Sequence, residues 1–250
     1  MHIFFANIEQ EFKKRIFMRI AIILSGGVGS RMGLDIPKQY VEINHHPVIW
    51  YCLKTFLSNE RTDAIVIGVA EEWKLYVNKQ IEELNSRKPI FYAKPGETRQ
   101  YSIYNALRIV KENGFDNNSL VIIHDAARPL VSHELINRCY DACEKADGAM
   151  PVLAVKDTTY YSEDGKSITS LLDRSKLWAG QAPEAFVFGT YYQLHEKMSH
   201  EELLKINGST EIAYKCGLRV EMVQGDPMNF KITTPEDLSN FESIIQNRQL

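Results

Sequence analysis

Short runs of branched apolar residues alternate with longer segments of helical period between Arg19 and Ala146. RIAIIL (19–24), AIVIGVA (64–70), PIFYA (89–93) and SLVIIHDA (119–126) interleave with VIWYCLKTFLS (48–58), EWKLYVNKQIEELN (72–85), SIYNALRIVKEN (102–113) and HELINRCYDACEKA (133–146). The short runs are apolar at consecutive positions, so both faces of each strand must be covered, and a parallel sheet between helix layers does that. The pattern predicts an α/β fold, a doubly wound, Rossmann-like and mostly parallel sheet. Ligands on such sheets bind beyond the carboxyl ends of the strands, so the residues that follow each run carry the interest.

After the first run comes SGGVGSRMG (25–33). Gly26, Gly27 and Gly29 lack the side chains that would keep an anion from the backbone amides, and phosphate is the natural guest of such a turn. Met32 stands where a dinucleotide fingerprint needs its last glycine, and no GK[ST] follows, so neither a dinucleotide site nor a Walker loop is expected. Arg31 and Lys38, the latter in IPKQY (36–40), add cations suited to a triphosphate and to charge on leaving pyrophosphate. At the end of the fourth run, Asp125 and Arg128 lie in HDAARP (124–129); a carboxylate beside phosphate oxygens calls for a cation between them, which makes Asp125 a candidate Mg²⁺ ligand. His124 is expected to be a structural hydrogen-bonding residue. NFKITTPEDL (229–238) places Lys231 at the end of a short predicted strand, before a last helix opening on Thr-Pro-Glu-Asp.

Lys plus Arg number 29 against 32 Asp plus Glu, a formal charge of -3, so no global basic surface speaks for nucleic acid and any anion site is local. No run has membrane-spanning length. Cys52, Cys139, Cys143 and Cys216 form no CxxC pair and are expected to be reduced core thiols. Residues 1–17 mix acids, bases and aromatics without a secretory apolar run, and are expected to be a leader outside a single domain at 18–250.

SGGVGSRMGLDIPKQY (25–40), HDAARP and NFKITTPEDL, in this order and at these separations, resemble the cytidylyltransferases of polyol phosphates, the family of 2-C-methyl-D-erythritol 4-phosphate and ribitol-5-phosphate cytidylyltransferases. The resemblance spans about Arg19 to Asn247. It implies a cytoplasmic enzyme with a nucleotidyltransferase fold that transfers CMP from CTP to a small polyol phosphate, with Mg²⁺, and releases pyrophosphate. It puts Arg31 and Lys38 on the triphosphate, Lys231 on the α-phosphate, Asp125 near the acceptor and the metal, and Ser25, Gly26, Gly27, Gly29 and Ala126 around the nucleotide. PGETRQYS (95–102) is similar to the family's base-reading loop and retains Gly96, Arg99 and Ser102, with Glu97 and Thr98 in place of Asp and Glu. Arg128 falls on the acceptor side.

VKDTTYYSEDGKSITSLLDR (155–174) reads as two strands around Asp164-Gly165. The resemblance makes it a β-hairpin dimerisation arm whose Thr158 and Arg174 reach a neighbouring site to hold the acceptor phosphate; a hairpin folded on its own domain is the alternative. Two places depart from the family pattern on the acceptor side: Ala182-Pro183 lacks the usual threonine hydroxyl, and Asn207, Gly208, Ser209, Thr210 and Glu211 replace a Thr-Asp-acidic segment. These departures favour a ribitol- or glycerol-type acceptor for a surface polysaccharide over methylerythritol phosphate. A nucleotide-binding protein without catalysis and a sugar-1-phosphate nucleotidylyltransferase are the readings outside this class.

Overall fold

The computed structural model describes residues 17–27 and 36–247. An eight-stranded sheet forms the centre, in the order β10 (Trp178–Gly180), β7 (Gly148–Ala154), β11 (Glu184–Val187), β6 (Leu120–Asp125), β1 (Arg19–Leu24), β4 (Ala64–Gly68) and β5 (Ile90–Ala93), with β12 (Val220–Gln224) paired to β7, while β2 (Glu42–Ile43) and β3 (His46–Pro47) pair apart from it. Its first half is the predicted one: β1 (Arg19–Leu24) lies between β4 (Ala64–Gly68) and β6 (Leu120–Asp125), and β5 (Ile90–Ala93) flanks β4, all parallel. The branched runs form strands because each alternate residue meets a different helix layer. Ala21, Ile23, Ile65, Ile67 and Ile122 pack under α1 (Val48–Ser58), α2 (Glu71–Glu83) and α4 (His133–Cys143). Ile20, Ile22, Val66, Val121 and Ile123 face α3 (Arg99–Glu112), α5 (Phe188–Lys197) and the short helices α6 (His200–Leu204) and α7 (Ser209–Lys215). Period-two burial on both faces thus produces the consecutive apolar runs.

Local signals set the helix ends. The Thr98 side chain accepts from Tyr101 N and caps α3, Ser132 caps α4, and Ser199 with Glu202 makes a capping box at α6. In α8 (Pro235–Asn247), Asp237 accepts from the backbone and hydroxyl of Thr233, so the Thr-Pro-Glu-Asp start is as expected.

The second half of the sheet is mixed. β11 (Glu184–Val187) runs antiparallel to β6, and β7 (Gly148–Ala154) takes β11 and β10 (Trp178–Gly180) antiparallel and β12 (Val220–Gln224) parallel. Between β7 and β10 the predicted hairpin projects, with β8 (Tyr160–Tyr161) and β9 (Ser170–Leu171) paired antiparallel in a sheet of their own. Asp164 Oδ1 accepts from Lys166 N and Ser167 N, and Gly165 takes a positive φ of 67°, so the turn is the Asp-Gly one but wider than two residues. Tyr160, Tyr161, Ile168 and Leu171 are exposed along the arm.

Two expectations need correction. Phe230 to Ile232 is not a strand: one backbone bond, Ile232 N to Ala127 O at 2.8 Å, pins an irregular loop where a ladder would need a continuing partner. Cys216 is exposed beyond α7 and is not a core thiol, whereas Cys52, Cys139 and Cys143 are buried and free. Of the expected leader, residues 1–16 lie outside the described residues; Phe17 packs against the core. No helix among the described residues is long and apolar enough to cross a membrane.

Candidate active site

The chain builds outward from β1 through β4 to β5 and then returns to place β6 on the other side of β1. The crevice beyond the carboxyl ends of β1 and β6 is therefore the switch point where open α/β sheets bind ligands. Ser25 and Asp125 open its two walls, with Ser25 N bonded to Gly68 O and Ala126 N bonded to Leu24 O.

The described part of the glycine loop is held by IPKQY. Gln39 Nε2 donates to Ser25 O at 2.6 Å and to Gly27 O at 2.8 Å, and the Tyr40 hydroxyl donates to Ser25 O at 3.1 Å. Tyr40 is itself fixed by stacking on Trp73 at 4.2 Å. Lys38 opens the 3-10 turn Lys38–Tyr40, which sets it beside this loop. Gly29 and Arg31 lie outside the described residues.

The base-loop candidate touches the same place. A Cβ on Gly26 would sit 2.5 Å from Pro95 Cβ, and one on Gly96 would meet Ser102 N at 2.9 Å, so both glycines are required by close approach. Ser102 Oγ accepts from Gly96 N and donates to Thr98 O, each at 3.0 Å. Thr98, which departs from the family's acidic residue, has a local job as the α3 cap.

Four ionic side chains converge at the end of β6. Arg99 Nε donates to Asp125 Oδ1 at 2.9 Å, and Lys231 Nζ donates to Asp125 Oδ2 at 2.8 Å. Arg99 also reaches Ser209 Oγ at 2.6 Å and Glu184 Oε1 at 3.4 Å. Burial opposes the charge on Asp125, but Arg99 and Lys231 outweigh it and hold the carboxyl well below the usual range. Burial likewise works against the Arg99 cation, and Asp125 and Glu184 reverse the effect and raise it. Arg128 donates from Nη1 to Asn229 O at 2.7 Å, and its Nε is buried without a hydrogen-bond partner. Burial pushes the Arg128 cation below its ordinary range, and Asp125 and Glu184 work against that shift.

His124 Nε2 donates to Arg128 O at 2.9 Å, and burial pushes its pKa down to about 4. It is neutral near pH 7, folds the HDAARP loop back on itself, and is structural as expected. Thr158 and Arg174 are not brought to the cluster within the chain: both are exposed on the arm, and Arg174 Nη1 bonds Lys156 O at 2.9 Å. Ala182 is buried, and its carbonyl accepts from Asn229 Nδ2 at 2.6 Å, so it supports the loop that carries Lys231.

Sequence reasoning did not single out Gln39, Tyr40, Glu184 or Asn229. A carboxylate opening the apolar run EAFVF (184–188) was the available signal for Glu184, since a charge there must be buried with partners. A cleft of about 590 Å³ lined by Lys54, Asp63, Arg87 and Lys88 lies at the amino ends of β4 and β5, the opposite end of the sheet from Asp125.

Among the described residues no three His, Cys, Asp or Glu side chains converge as a metal site. Asp125 already takes a cation on each oxygen. The described donor set makes no resident metal cage; a hydrated Mg²⁺ carried on a triphosphate would need one carboxylate at most, and Asp125 could offer an oxygen only where Lys231 gives it up.

A switch-point crevice with a glycine turn, buried carboxylate and surrounding Lys and Arg defines a nucleotidyltransferase. The family model described as 2-C-methyl-D-erythritol 4-phosphate cytidylyltransferase matches residues 19–247. A protein of that name from Clostridium beijerinckii is 34% identical over 91% of this chain and 98% of its own. The ribitol-5-phosphate cytidylyltransferase of Vibrio parahaemolyticus is also 34% identical, over 93% of this chain and 98% of its own. Among solved structures, 4-diphosphocytidyl-2C-methyl-D-erythritol synthase of Anaerococcus prevotii shares the fold with a TM-score of 0.77 at 24% identity, covering 92% of this chain and 97% of that one. The 2-C-methyl-D-erythritol 4-phosphate cytidylyltransferase of Francisella tularensis superposes with a TM-score of 0.74 at 26% identity, over 90% and 99%. The chain belongs to the 2-C-methyl-D-erythritol 4-phosphate cytidylyltransferase family, and it is a cytidylyltransferase.

Proposed function

We propose that the protein transfers CMP from CTP to the phosphate of a small polyol of ribitol or glycerol type, giving a CDP-alcohol and pyrophosphate. The observation that carries the transfer chemistry is Lys231 held on Asp125 at the end of β6, with Arg128 bonded to Asn229 O two residues before that lysine. The nucleophile is an acceptor phosphate that is already anionic, so no general base is needed; His124, neutral and bonded to Arg128 O, does not supply one. Catalysis then rests on positioning and charge neutralisation. Lys231 moves to the α-phosphate, Lys38 and Arg31 take the outer phosphates, and Ser25, Gly26, Gly27, Gly29 and Ala126 line the nucleotide. Gly96 and Ser102 hold the base loop, while Arg99 serves it from its seat on Asp125. Mg²⁺, when bound with CTP, supplies further neutralisation of the triphosphate, with Asp125 as its protein ligand.

On the acceptor side stands Arg128. Thr158 and Arg174 complete that side from the arm of a second copy, which makes the working unit a homodimer. The ribitol or glycerol reading is supported by the departures from the family pattern: a methyl stands at Ala182 in place of a threonine hydroxyl, and the Ser209 and Thr210 hydroxyls are engaged by Arg99 and Glu184 and not offered to an acceptor. Methylerythritol 4-phosphate is the second reading, favoured by the family description and by relatives of equal identity. Pyrophosphate release with Mg²⁺ and CTP is to be measured against ribitol 5-phosphate, the glycerol phosphates and methylerythritol 4-phosphate. The expected result is a higher kcat/KM on ribitol or glycerol phosphate. Preference for methylerythritol phosphate overturns the ribitol- or glycerol-type assignment, and silence on all with intact CTP binding overturns the transfer.

A further inference from the structure

Glu184 stands at the first position of β11 with 7% exposure, among the few buried carboxylates of the chain. Its Oε1 takes Arg99 Nη2 at 3.4 Å, and its Oε2 takes both Thr210 N at 2.9 Å and Thr210 Oγ1 at 2.6 Å. One side chain thereby ties the start of β11 to the first turns of α3 and α7. From below, the Tyr191 hydroxyl donates to Ser209 O at 3.0 Å, and Gln100 Nε2 reaches both Tyr191 and His195. Arg99 is consequently held at three points, by Asp125, Glu184 and Ser209.

Arg99 and Lys231 pair with Asp125 and Glu184, Arg128 lies close enough to interact with both carboxylates, and an incoming phosphate brings negative charge that competes with Asp125 for the two cations bound to it. If Arg99 left, Glu184 and Ser209 would lose their shared cation and a buried charge would be stranded. If Lys231 leaves, Asp125 keeps Arg99. We propose that Glu184 is a positioning residue for the transfer: it anchors Arg99 on Asp125 and so leaves Lys231 as the cation that exchanges Asp125 for phosphate. This rests on Lys231 being the phosphate ligand, as proposed above.

Arginine side-chain ¹⁵N spectra and pyrophosphate release test the division of labour in the wild type, Glu184→Gln, Glu184→Asp and Thr210→Val. In the wild type the Arg99 Nε–H proton stays protected from exchange with water when Mg²⁺ and CTP are added, although its shift responds to the changed charge at Asp125; in Glu184→Gln it loses that protection. Glu184→Gln lowers kcat by about tenfold or more while the Kd for CTP stays within about twofold. Glu184→Asp, shorter but charged, recovers more turnover than the isosteric Gln, which a role in filling space would not produce. An Arg99 Nε–H that loses protection equally in the wild type, or wild-type turnover by Glu184→Gln, overturns the assignment. Should Glu184→Gln fail to fold, Thr210→Val is read alone: lowered kcat with unchanged CTP affinity supports the role, and unchanged kcat overturns it. A wild type that releases no pyrophosphate with any acceptor overturns the transfer reading instead, and the Arg99 signal still decides the role of Glu184.

Discussion

Lys231 reaches across 106 residues of sequence to set its ammonium 2.8 Å from Asp125 Oδ2. Neither residue is on a long regular element at that point: Asp125 ends β6, and Lys231 sits on a loop pinned through Ile232 N to Ala127 O. The side chain of Lys231 is 36% exposed and that of Asp125 is 12% exposed, so the pair is solvent-accessible from the lysine side. Of the two, the lysine is the one open to an entering anion.

Gln39 fixes the shape of the glycine loop through two carbonyls, Ser25 O and Gly27 O. Removing it in Gln39→Ala loses hydrogen bonds worth about 1 kcal/mol each, which corresponds to roughly a tenfold or greater weakening of CTP binding. Titration calorimetry with CTP is the check, and the KM for the acceptor is expected to stay nearly constant.

Two buried histidines make the fold sensitive to mild acid. Burial pushes both His124 and His195 down from 6.5 to about 4. The unfolded chain therefore binds their protons between these pH values while the folded chain does not, and stability falls as pH drops through that window. Each group contributes at most roughly 3 kcal/mol of this loss. Asp125, held well below the usual carboxylate range, stays ionised throughout the same window. Urea midpoints at pH 7 and pH 5 measure the drop, and the double variant His124→Gln, His195→Gln is expected to flatten it.

The arm exposes Ile168 by 69% and Leu171 by 65%, with Tyr160 and Tyr161 beside them. Light scattering is expected to give the mass of two chains. The double variant Ile168→Glu, Leu171→Glu should halve the mass, leave the melting temperature of the domain nearly unchanged, and lower turnover because Thr158 and Arg174 no longer reach a neighbour.

The parallel half of the sheet was legible because its strands are buried on both faces, and Val66 or Ile122 in a run of their own kind admits little else. β10, β11 and β12 were not, since each is short and its neighbours are set by long-range pairing: Ala149 meets Ala185 on one side and Glu221 on the other. The residues expected to meet phosphate stand out in the sequence as glycine, Lys and Arg after strands, and of these Gly29 and Arg31 lie outside the described residues. The support for it was not, because Gln39 and Glu184 act through backbone and side-chain partners that sequence proximity does not reveal. Arg99 shows the same limit, being carried on a motif associated with the base yet engaged by Asp125 and Glu184.

The central claim is that Lys231 leaves Asp125 to neutralise the α-phosphate in the transition state. Single-turnover pyrophosphate release by Lys231→Ala, at saturating Mg²⁺ and CTP and with the acceptor that the wild type uses, tests it most directly. The expected result is a rate lower by about a hundredfold or more with CTP still bound and the fold intact. A rate within about threefold of the wild type would contradict the account, since a lysine that served only to pair Asp125 would add no selective stabilisation to the reacting phosphate.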